Sequence, residues 1–113
     1  MGAMKEYLIE SMENMVASAA EQSGISKETI WDCYEMFQEL NAFDLDEIET
    51  MKDICKVAKH GEEAIIEYYE AITNASVDRR NHVIETWEEN YFYSSNDDML
   101  CAIMYTVVEL ERS

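Results

Sequence analysis

Apolar residues recur along most of this chain at intervals of three and four, the spacing of one face of an α-helix rather than the alternation of a strand. From about Met4 to Gln22 the inward set is Leu8, Met12, Met15 and Ala19, with Glu6, Glu10 and Glu13 opposite them at i, i+4 and i+7. The residues SGIS break that pattern. Ser26 then suits the N-cap of a second helix through ETIWDCYEMFQEL, residues 28–40. At about 100° per residue from Glu28, the acids Glu28, Asp32, Glu35 and Glu39 fall between about −20° and 40°. Ile30, Cys33, Tyr34, Phe37 and Leu40 fall between about 120° and 240°. One side is apolar and the other anionic, with no Lys or Arg within the stretch.

The third start is marked by FDLDEI, which places Asp44 at the N-cap, Glu47 at N3 as a capping box, and Phe43 against Ile48 as a hydrophobic staple. This helix carries Asp46, Glu49 and Asp53 and ends at KHG, where Lys59 and His60 suit the negative helix end and Gly61 a left-handed turn. A fourth helix from about Glu62 to Asn74 turns Ile65, Ile66, Tyr69 and Ile72 inward and Glu63, Glu67 and Glu70 outward. A fifth is expected over about 77–89. NYFYSSNDDM is a turn before a last helix to about Glu111, whose apolar run MLCAIMYTVV at 99–108 reads as buried. The expectation is all-α: a single compact bundle of five to six short helices.

Composition supports this and adds one fact. There are no prolines and three glycines in 113 residues, as short connections between helices require. Eight basic against twenty-five acidic residues give a net charge of −17. Such a charge repels nucleic acid and anionic membrane and attracts basic surfaces, so direct DNA or RNA binding is disfavoured. The ten-residue apolar run is about half of what a bilayer requires, and MKEYLIESMENM, with three acids, is not a secretion signal. Three cysteines without close spacing argue against a disulfide framework and for a reducing cytoplasm. Met1–Ala3 read as a cloning remnant, leaving 4–113 as the single acidic helical domain.

Catalytic chemistry finds little footing. His60 and His82 lie near helix ends and neither belongs to a metal-ligand spacing. No phosphate loop, nucleophile elbow or cofactor fingerprint is present. Asn96, Asp97 and Asp98 lack the alternating ligands, central glycine and distal Glu of a calcium loop and suit helix capping instead. The sequon NAS carries no weight without secretion. No catalytic residue, metal or cofactor is therefore assigned.

The acid rows remain. A surface shaped only for solubility mixes both signs and gains about 0.2–0.5 kcal/mol from each i,i+4 Glu–Lys pair, whereas like charges at that spacing cost a similar amount. Acids about 5–6 Å apart along a helix face resemble the phosphate row of a DNA strand, which carries one charge per about 3.4 Å. Such rows can occupy a basic DNA-binding groove.

IWDCYEMFQEL, followed by an acidic helical segment and then ENYFYSSNDDMLCAIMYTVVEL, resembles the middle part of the ArdA-type antirestriction proteins. The matching positions are Trp31, Glu35, Met36 and Leu40, then Ser95, Asn96, Asp97, Asp98 and Met99. That family is encoded on phages and mobile elements and inhibits type I restriction enzymes by imitating DNA. The resemblance implies the same mode here, with carboxylates as phosphate surrogates and Asp97 and Asp98 added to the row-forming acids. A stand-alone acidic helical protein of this size also looks like phage inhibitors of CRISPR nucleases.

The expected function is thus a non-enzymatic DNA mimic acting in the bacterial cytoplasm on the basic DNA-binding surface of a restriction complex or nuclease. The contacting acids would be Glu28, Asp32, Glu35 and Glu39, supported by Asp46, Glu49, Asp53, Glu63, Glu67, Glu70, Asp97 and Asp98. The alternative is a small acidic adaptor or assembly protein that binds through exposed aromatics, with Tyr91, Phe92 and Tyr93 as anchors. Sequence leaves the target, the host and the choice between monomer and homodimer open.

Overall fold

The computed structural model describes the backbone of residues 2–40, 46–75, 77–78, 81, 85 and 96–112, and within these every side chain except those of 2–7, 40, 96–98 and 112. Five helices have described bounds: α1 (Gly2–Ser23), α2 (Lys27–Leu40), α3 (Glu47–Ala58), α4 (Glu62–Ala75) and α5 (Asn96–Arg112). Among the described residues there is no strand. The architecture is the expected all-α bundle. Of the helix expected over 77–89, the described positions 77, 78, 81 and 85 are helical, and the others lie outside the described residues.

Helix ends follow from local chemistry. Ser26 caps α2 as expected: its Oγ accepts the Thr29 N–H at 3.1 Å and lies 2.8 Å from the Thr29 hydroxyl. Ile25 and Ile30, the two positions of a staple around that cap, are both buried. The cap of α3 differs from the sequence expectation. It is Asp46, not Asp44: Asp46 Oδ1 accepts the Glu49 N–H at 2.8 Å, and α3 begins at Glu47. The chain carries two overlapping boxes, Asp44–Glu47 and Asp46–Glu49, and the second forms the cap. The proposed Phe43 staple lies outside the described residues. Gly24 and Gly61 hold φ of +79° and +87°, the left-handed region in which an L side chain is strained. Gly61 closes the turn after α3, its N–H donating to Ala58 O at 2.9 Å, and its own carbonyl accepts the Ile65 N–H of α4 at 3.0 Å.

Two helices organise the core. α3 packs against α1, α2, α4 and α5, and α5 against α2, α3 and α4. The apolar run of α5 is buried from Leu100 to Val108 except for half-buried Ile103, as its sequence predicts, while Met99 is exposed. Phe37 of α2 meets Tyr105 of α5 edge to face at 4.8 Å. The buried threonines leave no orphaned hydroxyl: Thr50 donates to Asp46 O, Thr73 to Glu70 O and Thr106 to Ala102 O, and Thr29 shares a bond with Ser26.

Candidate functional site: the acidic helix faces

The α2 row is where its periodicity places it. Glu28, Asp32, Glu35 and Glu39 are all exposed, while Ile30, Cys33, Met36 and Phe37 on the other side are buried. Eleven residues at 1.5 Å each set Glu28 and Glu39 about 16 Å apart along the axis. The mean interval is then about 5.5 Å, some three fifths of the linear charge density of one DNA strand. Trp31 and Tyr34, half-buried and edge to face at 5.6 Å, lie beside the row. Burial, and then the charge of Glu47 in the first turn of α3, push the Tyr34 phenol above its ordinary pKa.

On α4, Glu63, Glu67 and Glu70 are exposed, joined by Glu62, and the helix contains no basic residue. On α1 the described acids Glu10, Glu13 and Glu21 are exposed too. The Glu63–Glu67 edge borders a hollow of about 460 Å³ whose wall includes Ser23, His60 and Glu62. A smaller hollow of about 300 Å³ adjoins it, bounded by His60, Ala64, Tyr68 and Glu111. The Tyr68 hydroxyl donates to Glu111 Oε1 at 2.9 Å, and that bond, ahead of burial and the Glu111 charge, raises the phenol pKa. A carboxylate wall around an exposed imidazole can receive a cationic group. Sequence reading missed this feature because Ser23, His60, Glu67 and Glu111 come from four parts of the chain.

The third row departs from expectation. Asp53 is half-buried, and Asp46 is engaged in capping α3. Moreover, Lys52 and Lys56 of α3 and Lys59, the residue capping its C-terminus, recur at i, i+4 and i+7 and are all exposed. With Glu49 exposed on the same helix, the outward strip of α3 is mixed in sign, and lysines near its C-terminus are favoured by the helix dipole. Four rows of one sign are thus reduced to α1, α2 and α4. The lysine spacing was legible in the sequence to a reader counting both signs.

Asp97 and Asp98 fall in the first turn of α5, with side chains outside the described set. Tyr91, Phe92, Tyr93 and His82 lie outside the described residues altogether. Among the described residues, no three His, Cys, Asp or Glu side chains are grouped to hold a metal ion. No helix there is long and apolar enough to cross a membrane. The chain matches no protein-family model, no curated protein and no solved structure.

Proposed function

We propose that this protein is a non-enzymatic DNA mimic that inhibits a DNA-binding defence enzyme of a bacterial host, using rows of carboxylates in place of phosphates. The observation that carries the reading is the α2 row, four exposed acids at i, i+4, i+7 and i+11 on a helix whose opposite side is anchored in the core. A rigid helix holds the charges in place before binding, so little ordering entropy is lost on docking. Counterions held by both surfaces would be released, the same source of free energy that DNA binding uses. The α4 row adds a second anionic strip, and the hollow beside Glu63 and Glu67 offers space for a basic side chain of the target. The mixed strip on α3 lies outside the contact, so Asp46 and Asp53 drop to structural roles in this reading.

The test is plating of unmodified phage on cells with an active type I restriction system, and in parallel on cells defended by CRISPR, with and without the protein. Restored plating on one lawn is expected and names the target class. Changing Glu28, Asp32, Glu35 and Glu39 together to Gln and Asn should abolish the rescue while the helical circular dichroism persists. Full rescue by that folded variant would refute the row assignment.

A further inference from the structure

The three cysteines, scattered in sequence, meet in the core. Cys33 of α2 and Cys101 of α5 are 68 residues apart, yet each thiol lies against the other's helix: Cys33 Sγ donates to Cys101 O at 3.8 Å and Cys101 Sγ to Thr29 O at 3.4 Å. Thr29 precedes Cys33 by one helical turn, so Cys101 Sγ lies beside the backbone of the residue whose thiol it would join. All three thiols are free, and the structure leaves Cys33 wholly buried and Cys101 2% exposed.

We propose that Cys33 and Cys101 form a latent disulfide, a site of reversible two-electron oxidation that ties α2 to α5 through the core. The inference does not depend on what the acid rows bind. The reciprocal bonds place both sulfurs in the seam between α2 and α5, each against the backbone of the other's helix. Two S–H bonds break and one S–S bond forms. The two protons and two electrons pass to an oxidant of the azo or peroxide class, giving a hydrazine from the first or water from the second. Burial, followed by the bond to the Cys101 thiol, raises the Cys33 pKa well above the ordinary thiol value. Thiolate is then scarce at neutral pH, and oxidation is slow, proceeding as the α2–α5 seam opens. Cys55 enters the same core from α3, and among the described residues no thiol hydrogen bond joins it to the pair.

The experiment treats the reduced, folded protein with diamide, then denatures it in N-ethylmaleimide and maps the peptides by mass. The expected product is a monomer 2 Da lighter before alkylation, with one maleimide on Cys55 and a linked Cys33–Cys101 peptide. The bond closes a loop of nearly seventy residues, so the melting midpoint should rise by roughly 20 °C and fall back on reduction. Cys55→Ala should still form the bond and Cys101→Ala should not. Three maleimides on protein that dichroism shows to be folded would overturn the proposal. So would a link to Cys55, a link between chains, or a bond that lowers the midpoint. Because the decisive reading is made on the unaltered chain, misfolding of a variant does not confuse it.

Discussion

Replacing Glu67 by Gln, and separately Glu35 by Gln, should make the protein more stable while weakening a complex formed through the acid rows. Glu67 stands four residues after Glu63 and three before Glu70, all exposed; Glu35 stands three after Asp32 and four before Glu39, again all exposed. Each substitution therefore relieves two like-charge neighbours, at about 0.2–0.5 kcal/mol apiece, a gain of about 0.4–1.0 kcal/mol. Glu and Gln have nearly equal helix propensity. Neither residue lies in its helix's first turn, where Glu28 of α2 and Glu62 and Glu63 of α4 interact favourably with the dipole. At about 4–8 °C per kcal/mol for a domain of this size, the midpoint should rise by about 2–8 °C for each. The two gains should add, since the residues are on separate helices. The assay is thermal melting by circular dichroism at low salt, repeated near 1 M salt. There the screening length falls to about 3 Å, shorter than the spacing of the charges, and most of the gain should vanish. A lower midpoint for either variant, or a gain indifferent to salt, would show that these carboxylates support the fold, and the case that the rows are maintained at a cost would fail.

The remaining expectations concern the scaffold. Burial, then the Glu109 charge, pushes the Tyr105 phenol from 10.0 to about 12, and burial, opposed by Lys59, pushes the Cys55 thiol from 9.0 to about 11. Both are acids whose folded pKa exceeds the unfolded one, so their stabilising contribution is complete below pH 9 and is lost as pH rises through 11 and 12. The Cys33 thiol acts in the same direction, so stability should fall in denaturant titrations as pH rises from 9 towards 12, and Tyr105→Phe should make that fall shallower; an unchanged slope in the variant would refute the Tyr105 contribution. Asp46→Ala should cost about 1 kcal/mol by loss of the α3 cap, while Asp44→Ala should leave the cap intact; equal losses would contradict the cap assignment. At Gly61 an added Cβ would meet only Ser23 O, at an ordinary 3.9 Å, so Gly61→Ala should cost about 1 kcal/mol from φ of +87° alone. An unchanged denaturation midpoint would refute it.

Helices, their order and most inward residues were legible because burial of one stripe imposes a 3.6-residue period on the sequence itself. Ser26 was readable as a cap since a hydroxyl three residues before Thr29 needs only local geometry. At α3 two Asp-x-x-Glu boxes overlap, and local pattern alone does not choose between them. Exposure of the α2 and α4 rows was equally local. Their mutual placement was not, because α5 packs against both helices and α3 also touches each. The hollow at His60 and the meeting of Cys33 with Cys101 arise only from packing, so spacing along the chain carried no trace of either.

The lysine strip on α3 gives this anionic molecule an internal asymmetry. Approaching a cationic surface, the protein experiences a torque as well as an attraction: orientations that lead with Lys52, Lys56 and Lys59 are discouraged, and those that lead with α2 or α4 are drawn in. Three positive side chains thereby act as a rudder, setting which face arrives first before any contact is made.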